Sequence, residues 1–367
     1  MKDIKREIVD EINEMKIFIN LASNGTLINP NETFYKSDNP KISIVISVFN
    51  GESYLKNAIL SIQNQDFKDI EIIVIDDCSK DNSVNLIKEF MLRDPRIILY
   101  QNEENRGTLY SKTKGILNSK GKYVMILDED GMYSNSKAFS ILYEEAEKNI
   151  LDILGFAYFE TTLQIEKKVP VTRYYETPIL FQPEVSKRMY TWENNGNVKR
   201  ISGVLWNYFF RTDLFIKTIK QIDEKYFKNK MSVYDDYLLF FLLTRNAYNL
   251  KQIKKILYLK IKREENTKIA FHLGDNIKNI ENHNCMDNLN YIEMLFIKTN
   301  NTILDKKIPS HELNNYFLNN PCINNLYVKE EFIKICKQFL KSEYIEKELK
   351  DKILIFFKFN NIETNKN

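Results

Sequence analysis

From residue 41 onward, apolar runs alternate with stretches of helical spacing. Ile42–Val48 is a mostly β-branched apolar run, and residues 54–62 then place Leu55, Ile59 and Ile62 on one helical face. Residues 70–75 form a second run, 84–91 a second helical segment, 97–100 a third run, 109–117 a third helix and 123–127 a fourth run. Short apolar runs bounded by polar residues are the pattern of strands buried on both faces. Strands alternating with helices predict a parallel sheet with right-handed crossovers. The expected class is α/β, a Rossmann-like, mostly parallel sheet flanked by helices. No G-x-G-x-x-G follows the first run, so a dinucleotide cofactor is not expected.

The flanks read differently. Ile4, Ile8, Ile12, Met15 and Ile19 form one stripe of an N-terminal helix over residues 1–22, stopped by Asn24-Gly25. Such a stripe either docks on a partner or membrane surface or packs on the neighbouring domain. A polar connector with Pro30 and Pro40 follows. Beyond a strand expected at 151–159, residues 160–200 read as irregular segments over an active site. An aromatic-rich stretch at 205–210, helices at 213–222 and 237–243, and a strand at 253–261 complete this half. From about residue 275 the chain is rich in Lys and Asn with helical spacing, as at Leu289, Ile292 and Phe296. The expected divisions are 1–40, a domain at 41–270 split into 41–141 and 142–270, and a helical C-terminal extension at 271–367.

Composition narrows the class. Of 367 residues, 43% are hydrophobic and 28% charged, the balance of a folded globular protein. A net charge of +3 gives no electrostatic case for nucleic acid. No run reaches the ~18 apolar residues of a membrane span, and no signal peptide opens the chain, so a cytoplasmic location is expected. Cys78, Cys285, Cys322 and Cys336 are too widely spaced for a disulfide or zinc framework, and His283 with Cys285 lacks a second ligand pair. The Lys-rich stretch 337–352 could meet an anionic membrane carrying a lipid-linked acceptor, as a peripheral association. Glu343, Glu346, Glu348 and Asp351 interrupt it, which is the pattern of a solvated helical face.

The candidate chemistry lies at strand ends. The run at 123–127 ends abruptly in Asp128, Glu129 and Asp130. Three crowded carboxylates form a solvated acidic turn or hold a cation that removes their mutual repulsion. Polar groups also end the first two runs, at residues 47–50 and at Asp76-Asp77, and the ends of parallel strands converge on one crevice. Asn105-Arg106-Gly107-Thr108 opens a helix where backbone N–H groups and a guanidinium could meet a diphosphate.

The run ISIVISVFNGESYLKNAILSIQNQDFKDIEIIVIDDCSKDNS, followed by NEENRGTLYSKTKGILNSKGKYVMILDEDG, resembles the family 2 glycosyltransferases of GT-A fold. The resemblance covers residues 41–141 strongly and 202–267 moderately. It implies a UDP- or other nucleoside-diphosphate-sugar site. Ser47, Phe49 and Asn50 stand where the family's first-strand loop holds the base, and Asp77 where it binds uracil. Arg106 and Lys112 stand near the diphosphate. Asp128 and Asp130 match the D-x-D that holds Mn2+ or Mg2+ on the phosphates. Trp206 and Asn207, in GVLWNYFF, match part of the acceptor side. Asp235-Asp236 matches the acidic pair that opens a helix and supplies the catalytic base, placed on Asp236; the same pair would also serve as a helix cap.

The chain departs from the family at Ser47 for Pro, Phe49 for Tyr, Gly131 for the acid after D-x-D, Lys112 for Arg and Asp235 for Glu. The implied function is a metal-dependent, inverting transfer of a sugar, in the hexosyltransferase class, to a glycan, lipid-linked or protein hydroxyl. Two alternatives are a sugar nucleotidyltransferase, which would want a glycine-rich basic loop where Asn50-Gly51-Glu52 stands, and a non-catalytic nucleotide-sugar binder.

Overall fold

The computed structural model describes residues 33–161, 171–172, 175–188, 190–192, 198–200, 204–228, 231, 235–261, 313, 326–341, 347–359 and 362. The N-terminal helix, the helical spacing at 289–296 and the His283–Cys285 pair lie outside these residues. The alternation expected from residue 41 is present: β1 (Ile42–Val48), α1 (Glu52–Gln63), β2 (Ile70–Asp76), α2 (Ser83–Met91), β3 (Ile97–Gln101), α3 (Thr108–Leu117) and β4 (Tyr123–Asp128). Then come β5 (Gly131–Tyr133), α4 (Ala138–Asn149) and β6 (Ile153–Thr161). Four short strands, β7 (Val171–Thr172), β8 (Leu180–Phe181), β9 (Tyr190–Trp192) and β10 (Val198–Arg200), lie where irregular structure was expected. The domain continues through β11 (Tyr208–Arg211), α5 (Thr212–Ile219), α6 (Glu224–Lys228), α7 (Asp235–Asn246) and β12 (Asn249–Ile261).

The main sheet runs in the order β3-β2-β1-β4-β11-β6-β12-β5. From β3 to β4 every pairing is parallel. Beyond β4 the sheet is mixed: β11 is antiparallel to β4 and β6, β12 is parallel to β6, and β5 is antiparallel to β12. Successive β1 side chains point to opposite faces. Ile42, Ile44, Ile46 and Val48 enter one core with Leu55, Ile59 and Ile87, and Val45 enters a second with Leu109, Ile116, Phe215 and Leu239. Both faces are therefore covered, which is why β1 and β2 are mostly apolar, with Ser43 and Glu71 buried and hydrogen-bonded to each other. Helix α3 lies close on β1: a side chain at Gly115 would collide with Val45.

Strand register brings the polar ends together. Val48 pairs with Asp76, and Ser47 pairs with Asp128, so β1, β2 and β4 end side by side. In the C-terminal region, α8 (Leu326–Leu340) and α9 (Lys347–Phe359) bury Phe332, Ile335, Phe339, Leu349, Ile353 and Phe357 against one another, with Leu313. Lys337, Lys341 and Lys350 are exposed there. Among the described residues no helix is long and apolar enough to cross a membrane.

Candidate active site

The loops after β1 and β2 clasp each other. Asn50 takes φ 53°, a left-handed conformation that Asn tolerates. Its backbone N–H donates to Ser79 Oγ at 2.9 Å, and its side-chain oxygen accepts from the Lys80 N–H at 2.7 Å. Gly51 N–H donates to Ser83 Oγ, and Glu52 accepts from Asn82 N–H. Ser47 is buried at the end of β1, while Phe49 and Asn50 are half-buried.

Asp77 is buried and fully engaged with the start of α3. Its Oδ1 accepts from Arg106 N–H at 2.8 Å and from the Asn102 amide at 2.7 Å, and its Oδ2 from Gly107 N–H at 2.8 Å. Burial pushes the Asp77 carboxyl up, and the donors from Arg106, Asn102 and Gly107 pull it back. Gly107, at φ 82°, is the turn that aims these amides. Arg106 lies over the Tyr110 ring at 4.5 Å and pairs with Glu104 at 3.3 Å. Asn102 was not singled out in the sequence; it ties Asp77 to Ser111 and to Lys114. Asp77→Asn turns an NH2 toward one of these N–H donors. A loss of about 1–3 kcal/mol is expected, read as a drop of several degrees in Tm; an unchanged Tm would mean the loop is held by other groups.

The second cluster lies between α3 and α7. Lys112 Nζ donates to Asp235 Oδ2 at 2.8 Å and to Asp236 Oδ1 at 2.5 Å. Asp236 Oδ2 also accepts from the Leu205 N–H at 3.4 Å. Burial opposes charge on Lys112, yet Asp235, Asp236 and Asp128 outweigh it and hold the ammonium well above the ordinary lysine range. For Asp236, burial pushes the carboxyl up to about 7 against the pull of Lys112, with Asp235 and Asp128 adding to the rise. The structure thus gives Lys112 to the acid pair of α7.

The third cluster is the D-x-D turn. Lys260, unremarked in the sequence, donates to Asp128 Oδ2 at 2.8 Å and to Asp130 Oδ1 at 2.6 Å. The expected Mn2+ or Mg2+ does not fit these carboxylates as arranged. A divalent ion bound to both oxygens at about 2.0–2.4 Å would need the place the ammonium holds. Like charges about 4 Å apart repel by about 4 kcal/mol at the effective dielectric of a protein surface, and a divalent ion doubles that. Among the described residues no three His, Cys, Asp or Glu side chains group as metal ligands.

Trp206 and Asn207 need separate treatment. Trp206 stacks on Tyr258 at 4.8 Å and meets Tyr158 edge-on at 4.4 Å, behind the D-x-D turn. Asn207 is 0% exposed and its amide donates to the Phe156 carbonyl at 3.0 Å. Asn207 thus satisfies the backbone between β11 and β6. Gly131 is explained by packing, since a side chain there would collide with Tyr258 Oη.

A parallel half with acids at the ends of β2 and β4, joined to a mixed half with an acid-headed helix, is the arrangement expected of the GT-A class. Comparison with known proteins places the chain within it. The profile of Glycosyl transferase family 2 matches residues 43–227, half of the chain, and the chain belongs to that family. The uncharacterized glycosyltransferase EpsJ of Bacillus subtilis is 30% identical over 186 residues, 50% of this chain and 52% of EpsJ. The GalNAc(5)-diNAcBac-PP-undecaprenol beta-1,3-glucosyltransferase of Campylobacter jejuni is 35% identical over 130 residues, 35% of this chain and 42% of that protein. The chain thus spans about half or less of these relatives. Among solved structures, S. aureus TarS 1-349 in complex with UDP-GlcNAc shares the fold at a TM-score of 0.58 and 16% identity, covering 85% of this chain and 83% of TarS 1-349. The complex of the same protein with UDP aligns at a TM-score of 0.59 and 15% identity, covering 86% of each chain.

Proposed function

We propose that this chain transfers a sugar from a nucleoside-diphosphate donor, a uridine one, to an acceptor hydroxyl with inversion at the anomeric carbon. The observation that carries this reading is Asp236: a carboxyl at the head of α7, held by the Lys112 ammonium at 2.5 Å and raised by burial to about 7. Family membership and the TarS complexes with UDP-GlcNAc and UDP support the donor class.

The donor's base and diphosphate would lie along the ends of β1, β2 and β4, between Asp77, Arg106 and the D-x-D turn. A base whose pKa is near neutral both holds and takes a proton effectively at physiological pH. In the transfer, the acceptor oxygen bonds to the anomeric carbon as the carbon–phosphate-oxygen bond breaks. The electron pair leaves with the diphosphate, and the acceptor proton passes to Asp236. Trp206, packed beside the D-x-D turn, forms a wall toward the acceptor side. The Campylobacter relative's name includes PP-undecaprenol, which supports trying lipid-diphosphate-linked saccharides among the first acceptors.

Calorimetric titration with UDP, followed by GDP, CDP and dTDP, tests the donor class, and a panel of UDP-sugars with saccharide acceptors tests transfer. Micromolar binding of UDP is expected. Binding of none of the four nucleotides would remove the reading.

A further inference from the structure

The D-x-D turn carries a cation of its own, and the backbone puts it there. Lys260 pairs across the ladder with Gly131, the residue that follows Asp130, and the Ile261 N–H donates to the Asp130 carbonyl at 3.2 Å. Two residues apart on one strand, Tyr258 and Lys260 share a face. Tyr258 stacks on Trp206, and the Lys260 ammonium lies 5.8 Å from the centre of that same ring. Position, stem and head are therefore all defined. The side chains of Lys260, Asp128 and Asp130 are 23%, 22% and 10% exposed, so the cluster is open to a ligand.

We propose that Lys260 is the resident counter-cation of this site, bridging Asp128 and Asp130 and giving its remaining N–H to the donor's diphosphate, so that donor binding and transfer need no divalent metal. This inference rests on the nucleotide-diphosphate reading above. An ammonium has three N–H donors. Two go to Asp128 and Asp130, and the third is available to a phosphate oxygen. A hydrogen bond between two charged partners is roughly twice as strong as a neutral one. As the bond to the anomeric carbon breaks, the departing phosphate oxygen gains the electron pair and accepts that hydrogen bond, while the acceptor's proton goes to Asp236. The proton and the electron pair are both accounted for by groups the chain and the donor supply. The same ammonium repels a divalent ion from the two carboxylates, so the site is built for one cation and not for both.

The experiment is UDP calorimetry on the full chain in EDTA and in Mn2+, together with electron paramagnetic resonance of Mn2+ binding in the absence of nucleotide. Wild-type protein is expected to bind UDP in EDTA, with Kd within about threefold of its value in Mn2+, and to show no Mn2+ bound at the D-x-D turn. Lys260→Met should lose about tenfold or more in EDTA. It should also gain a Mn2+ signal and recover UDP binding when Mn2+ is added, since its two carboxylates are then uncovered. Lys260→Arg keeps the charge and should bind UDP in EDTA, which separates loss of the cation from loss of the fold. If wild-type protein binds UDP in Mn2+ but not in EDTA, Lys260 is not the counter-cation, while the donor reading stands. If it binds no nucleoside diphosphate under either condition, the donor reading falls and this inference with it.

Discussion

Asp236→Asn is expected to lower kcat by about 10²–10⁴-fold and to leave the Kd for UDP within about threefold. The carboxylate lies at the head of α7, and Lys112 keeps its second partner in Asp235. The fold should therefore survive the change. The pH profile gives a sharper test than the rate alone. A general base acts deprotonated, and burial holds this carboxyl at about 7. Wild-type kcat/KM should rise as pH increases through about 7 and level above it. The residual activity of the variant should lack that limb. A variant that keeps both full activity and the limb would move the base elsewhere.

Lys112→Met is expected to have the largest effect on stability. It removes the ammonium that lies 2.8 Å from Asp235 and 2.5 Å from Asp236, leaving two neighbouring carboxylates in a mostly dry setting. Breaking a buried pair from one side costs about 3–5 kcal/mol, which for a chain of this size is a fall in Tm on the order of 10 °C. The sign of its pH dependence follows from the same charges. Without Lys112, at least one carboxyl titrates higher than before, so the folded state holds a proton that the unfolded chain releases. Stability is then greater at pH 5 than at pH 8, and any surviving activity has its limb moved to more alkaline pH. Thermal melts at the two pH values check this; equal Tm values for variant and wild type at pH 8 would contradict it.

The parallel half was legible because each of its strands is covered on both faces. Ile42–Val48 carries enough β-branched residues to read as a strand unaided, and its neighbours differ from expectation by a residue or two at their ends. Asp77, Asp128 and Asp236 were legible because they end or open apolar runs. Lys260 was not. It lies in an alternating strand that carries other lysines, and its partners are 130 and 132 residues away, brought close only by the β5–β12 ladder. Lys112 could be placed on a helix, but its acids are 123 and 124 residues distant, and the family resemblance alone put it near the diphosphate. Asn207 is buried, and its partner too is distant in the chain. Its acceptor-side role came from the family resemblance of GVLWNYFF, and its bond to the Phe156 carbonyl joins residues 51 apart in the chain. The second half of the sheet is mixed, and its strand order follows from long-range pairings that no local pattern encodes.

Helix α3 touches both ends of the chemistry. Its cap, Gly107, is hydrogen-bonded to Asp77, and its Lys112 holds the two acids of α7. Five residues of helix rise by about 7.5 Å, and Gly115 seats that helix hard against β1. On the proposed reading, the separation between donor pocket and base is thus set by one helix. Evolution could exchange acceptors by rewriting the surrounding loops, but it could not lengthen or shorten this helix between residues 107 and 112 without putting both halves of the reaction out of step.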